Sequence, residues 1–179
     1  MVHAQVLSPI WVSLTLVLLS TAPASAELDD GDFVSETWRV KMSVPSNWQA
    51  TEQTAYPNVL LWMERREPQG VMLLSAEPVP DNLSPLDYAK KTLVLLKKMG
   101  FVTRPPQLHS STGATLIDFQ SENTFLRQAF LVVGGFGYTL TLSANNSRIR
   151  GFHLRAFDDA LRSITPLRTT RSNSNHSQP

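Results

Sequence analysis

The chain has 179 residues, 42% of them hydrophobic and 17% charged. That balance describes a packed domain and excludes a disordered polyelectrolyte. Lys and Arg number 16 against 15 Asp and Glu, a formal charge of +1, too little for a general hold on nucleic-acid phosphates. Cysteine is absent, which removes disulfides, thiolate metal centres, cysteine nucleophiles and lipid attachment through cysteine, and leaves the redox compartment open.

The first stretch, Val6 to Leu19, is apolar but for Ser8, Pro9, Ser13 and Thr15, and runs into Ala22-Pro-Ala-Ser-Ala26. It is shorter than the ~20 residues of a spanning helix, and Ala24 and Ala26 fit the small pockets of a signal peptidase. Residues 1–26 are therefore expected to be a signal peptide cut after Ala26; an uncleaved anchor and a buried N-terminal helix are the alternatives. The expected product is periplasmic or secreted, without a lipobox cysteine and without a membrane span once the leader is gone. Residues 27–32 read as an acidic, solvated leader, and residues 168–179 as a disordered polar tail. Charge is segregated: residues 27–36 hold five acids and no base, whereas residues 148–179 hold six Arg against Asp158 and Asp159. Arg148, Arg150 and Arg155 are accordingly the candidate interaction surface, within the reach that salt screening allows.

In the body, Trp38, Val40, Met42 and Val44 alternate with polar residues as in a strand buried on one face. Residues 58–63 and 70–76 read as a hairpin apolar on both faces. Ser84-Pro-Leu-Asp87 opens a helix that Gly100 stops, with the serine capping and proline in the first turn. Leu86, Ala89, Leu93, Leu96 and Met99 form its apolar stripe; Lys90, Lys91, Lys97 and Lys98 form a solvated face or a docking patch. Strands follow at 114–119, 125–133 and 138–144. The last two flank Gly134-Gly-Phe-Gly137, which joins strand to strand and so reads as a turn rather than a phosphate loop. A second amphipathic helix over Phe152 to Ile164 ends before Pro166. The order predicts an α+β domain: an antiparallel sheet of about six strands with a helix on each face, an α/β/α sandwich.

The run Trp38-Arg-Val-Lys-Met-Ser-Val-Pro-Ser-Asn-Trp48 and the following Tyr56-Pro-Asn-Val-Leu-Leu-Trp62 resemble the PsbP-like superfamily. So do Arg127 to Ala144 and Phe157-Asp-Asp-Ala-Leu-Arg-Ser-Ile164, and the resemblance covers residues 33–167. That superfamily includes the photosystem II extrinsic subunit PsbP, a Ran-binding import factor, DcrB-like envelope proteins and type VI secretion adaptor chaperones. The resemblance implies the fold, and it implies a protein that is not an enzyme; it carries over no site.

The residues themselves offer little chemistry. After the leader the histidines are His109, His153 and His176, none spaced as metal ligands, so no metal and no cofactor is expected. No Gly-x-Ser-x-Gly elbow is present. Asp158 and Asp159 are adjacent on a helix and point about 100° apart, so they share no site. Trp38, Trp48, Tyr56 and Trp62 are expected in the core, a docking cluster being the alternative. The function expected is an exported, non-catalytic protein-interaction module of the bacterial envelope, its partner another envelope protein. The alternatives are a chaperone or carrier for a hydrophobic peptide segment or lipid and, in a phototroph, a photosystem II extrinsic subunit.

Overall fold

The computed structural model describes residues 26–29, 31–52, 56, 58–145 and 151–167. Residues 1–25, which hold most of the expected signal peptide, and residues 168–179, the expected tail, lie outside them. Two sheets form. The smaller holds β1 (Ala26–Asp29), β2 (Asp32–Ser35), β3 (Val40–Ser43) and β12 (Thr165–Pro166), in that order. The larger has eight strands: β4 (Gln49–Glu52), β5 (Val59–Arg65), β6 (Gly70–Pro78), β7 (Val102–Thr103), β8 (Gln107–Leu108), β9 (Thr115–Gln120), β10 (Thr124–Val133) and β11 (Phe136–Asn145). Its order is β4-β5-β6-β11-β10-β9-β7, with β8 also on β9, and every pairing is antiparallel. The helices are α1 (Pro85–Lys98) and α2 (Gly151–Ser163).

The local signals explain most of these elements. Ser84 caps α1, its hydroxyl accepting from the Asp87 amide at 3.1 Å, with proline in the first turn. Gly134 and Gly135 both take positive φ, 59° and 81°, between Val133 and Phe136, which pair directly. Two left-handed residues in a two-residue loop match the right-handed twist of the flanking strands, so the glycines make a hairpin turn.

The expected single sheet of about six strands is corrected on two counts. The larger sheet has eight strands, because polar Gln49–Glu52 and the very short β7 and β8 add to its edges and carry no apolar alternation. The N-terminal strands separate into their own sheet. Residues 27–32 are not a free leader, since Ala26–Asp29 turns at Gly31, φ +90°, and pairs with β2. The strand expected from Trp38 is shorter: Arg39 has a φ of 49° in the turn that closes Glu36 to Arg39, and pairing starts at Val40.

Two apolar clusters draw on alternate residues of the larger sheet. The first joins Leu61, Met63, Met72, Leu74, Leu140 and Leu142 to Phe33, Val40 and Met42 of the smaller sheet and to Phe157, Ala160 and Leu161 of α2. The second is smaller, with Ala89 of α1 on Ile117, Phe119 and Phe130. The expected cover of each sheet face by a helix is therefore partial. α1 packs on β9 and β10, while Trp62, Val71 and Leu73, alternate to the residues of the first cluster, belong to neither.

Candidate functional site

Between α1 and the larger sheet lies a cleft of about 240 Å³. Its sheet side is supplied by Ser75, Glu77, Gln128, Thr139 and Thr141, and its helix side by Tyr88, Lys91 and Thr92. The register explains the polar floor: Thr139 stands opposite Ser75, and Thr141 opposite Gln128, at adjacent levels of one face. Below α1 the same face turns apolar at Phe130, which the Tyr88 ring meets edge-on at 5.7 Å between centroids.

Tyr88 is fixed from three directions. Its ring lies on Gly137, where a Cβ would come within 2.7 Å of the ring carbons; any side chain at 137 would displace it. Its oxygen accepts from the Thr139 hydroxyl at 3.3 Å. Burial pushes the hydroxyl pKa well above its ordinary value, the Thr139 bond offsets part of this, and the Glu77 carboxylate raises it further. The phenol therefore stays protonated at neutral pH and serves as a hydrogen-bonding group, not as a base. Gln128 donates to the Thr141 hydroxyl at 3.0 Å, while its amide oxygen is buried with no hydrogen-bond partner. Such an acceptor is costly to leave unmet, so the cleft floor is suited to a donor such as a peptide N–H or a water.

Beyond the cleft the sheet face continues to Leu73, opposite Thr141, and to Trp62, opposite Leu73. Trp62 is half-buried, its indole N–H donating to the Glu64 carboxylate. The four N-terminal aromatics thus divide. Trp48 is buried in the first cluster and Trp38 packs against it; Trp62 and the exposed Tyr56 stand outside both. Trp48 meets His153 edge-on at 6.3 Å over Gly70, where a Cβ would lie 3.0 Å from the imidazole, so this histidine is a packing residue of α2.

Of the arginines singled out from charge, Arg148 and Arg150 lie outside the described residues, and Arg155 is exposed on α2. Arg155 does not line the cleft. Ala26, the expected cleavage position, begins β1. Asp158 and Asp159 share no site: Asp159 is bonded to Arg162, and Asp158 lies near Arg127, whose guanidinium grips Asp118 through two bonds of 2.8 and 2.9 Å. Among the described residues no cluster of three or more His, Asp or Glu could hold a metal ion, and no helix is long and apolar enough to cross a membrane. The sequence showed 70–76 as apolar on both faces, but the cleft needed α1 placed against β10, which no local pattern specifies.

No protein-family model and no curated protein matches the sequence. Solved structures do. Cyanobacterial PsbP from Synechocystis sp. PCC 6803 superposes with a TM-score of 0.52 at 11% identity, over 84% of this chain and 97% of that one. The chain has the PsbP-like fold. A second protein with the PsbP-like fold, LpqN, involved in cell envelope biogenesis of Mycobacterium tuberculosis, superposes at 0.52 with 13% identity, over 81% of this chain and 87% of that one. The chain spans 46% of a further solved protein, from Bacteroides thetaiotaomicron, at 9% identity and a TM-score of 0.47. At these identities the PsbP-like likeness speaks for the fold alone.

Proposed function

We propose that the chain is an exported, non-catalytic interaction module of the bacterial envelope, and that another envelope protein docks on the half-buried β5–β6 part of its larger sheet. The observation that carries this reading is the Trp62, Val71 and Leu73 surface, left out of both apolar clusters and continuous with the polar cleft. A half-buried tryptophan with adjacent aliphatics and a rim of hydrogen-bonding groups is the composition of a protein interface. A likeness to LpqN, a protein of cell envelope biogenesis, supports the compartment, as does the leader expected over residues 1–26. The carrier alternative is less well supported, because the cleft is small and lined by hydroxyls, amides and charges rather than by apolar walls. The photosystem reading draws on the fold of cyanobacterial PsbP and applies only to a phototrophic source.

Photocrosslinking in the native host tests the reading. A benzophenone amino acid at Leu73 should give one discrete protein adduct in the envelope fraction, and the same probe at exposed Arg162 on α2 should give none. Equal labelling from both positions, or no adduct from Leu73, overturns it.

A further inference from the structure

The outer side of α1 carries a second surface, which shares only Lys91 with the rim of the cleft. From Tyr88 to Ile117 the sequence holds Lys90, Lys91, Lys97, Lys98 and Arg104 and no acid. The fold gathers this stretch at one edge of the molecule: α1 lies over β9 and β10 and touches β7, and β7 and β8 both pair with β9. All five cations are exposed. Lys90 is paired with Asp87; the other four have no ion partner among the described residues. Glu122, in the turn after β9, is an acid at the same edge, so positive charge prevails there.

Exposed apolar side chains collect in the same stretch. Leu86, Val94, Leu95, Met99, Val102 and Leu108 all stand in solvent, Val94 at 55%, Val102 at 73% and Leu108 at 75% exposure. Helical spacing sets Val94 one turn from Lys90 and Lys91 on one side and from Lys97 and Lys98 on the other. Each of these exposed lysines thus stands beside an aliphatic side chain that is itself exposed.

We infer that this edge seats the protein on an anionic phospholipid surface, with Val94 and Leu95 entering the headgroup region and the flanking lysines meeting lipid phosphates. Basic and aliphatic side chains interleaved along a helix suit such a surface. A protein partner fits less well, because protein interfaces are depleted in lysine and enriched in arginine, tryptophan and tyrosine, whereas this edge has four lysines, one arginine and no tryptophan. A lipid surface also asks for no matching concavity.

Co-sedimentation of the full protein, purified from its native host, with phosphatidylcholine vesicles with and without phosphatidylglycerol tests the inference. Binding is expected on the phosphatidylglycerol vesicles, lost at high salt, and absent on phosphatidylcholine alone. The double variant Lys97→Gln, Lys98→Gln should bind about thirty-fold more weakly, each lysine near an anionic surface strengthening adsorption about fivefold. Val94→Ser should also weaken binding, while Arg155→Gln on α2 should leave it unchanged. All these side chains are exposed, and near-ultraviolet circular dichroism checks that each variant keeps its fold. The inference fails if binding is equal on uncharged vesicles, which would mark insertion of an apolar segment such as residues 6–19. It fails if Arg155→Gln weakens binding as much as the lysine pair does. It also fails if the protein ignores both vesicle types, and retention on immobilised polyglutamate would then mark an acidic protein partner.

Discussion

Leu73 and Leu74 are neighbours on β6, yet Leu74 is fully buried with Met72, Leu140 and the side chains of α2, whereas Leu73 belongs to neither apolar cluster. The same division holds along β5, where Leu61 and Met63 are fully buried and Trp62 between them is not. One face of the larger sheet is closed by the smaller sheet and α2. On the other, among the described residues, α1 packs on β9 and β10, while Trp62, Val71 and Leu73 of β5 and β6 are half-buried and belong to neither apolar cluster. Apolar sequence on both faces of a strand thus has two meanings here, stability on one side and recognition on the other, and the placement of one helix separates them.

The largest test of that division is a paired substitution. Leu74→Ala should cost about 2–5 kcal/mol, as full burial requires, and Leu73→Ala less, about 1–2 kcal/mol, because part of its apolar area stays in water; urea unfolding measures both, and equal costs would break the comparison. Gly137→Ala comes next. The added methyl meets the Tyr88 ring, so a loss of about 1–3 kcal/mol is expected from overpacking, with a changed tyrosine signal in near-ultraviolet circular dichroism.

Tyr88→Phe should cost about 1 kcal/mol through the lost bond with Thr139, and it should also alter the alkaline limb. The folded-state pKa of Tyr88 is raised above its usual 10.0. Its contribution is therefore fully present below pH 10 and drains away as pH rises beyond it, where the unfolded tyrosine ionises first. Tyr138 is shifted in the same direction by burial, so the variant should flatten the fall in urea midpoint above about pH 10 without abolishing it. The smallest effect is expected at Arg155, exposed on α2: Arg155→Ala should stay within about 0.5 kcal/mol of the parent in the same unfolding assay.

Much of this body was legible where the signal is local. Apolar runs bounded by turn residues placed the strands over 58–63, 70–76, 114–119, 125–133 and 138–144 to within a few residues, and the capping serine and following proline placed α1. The separation into two sheets was not legible, because β12 has two residues and joins β3 across more than a hundred positions of sequence. No periodicity can speak over that distance. The candidate site was hidden for a related reason. Its polar floor of Ser75, Thr139 and Thr141 looks like the solvated side of ordinary strands, and only the helix laid beside it makes a cleft. The lysines of α1 were visible from the start; what the sequence withheld was that Val102 and Leu108 stand exposed at the same edge.

Pairing of β12 with β3, sealed by the Leu167 amide donating to the Arg39 carbonyl at 2.8 Å, has a mechanical consequence. β1 and β12 are the two outer strands of the smaller sheet, so both ends of the described chain are held by it. Tension applied at either end would load that sheet first, peeling away a strand of two or four residues before any pull reached the ten-residue hairpin of β10 and β11.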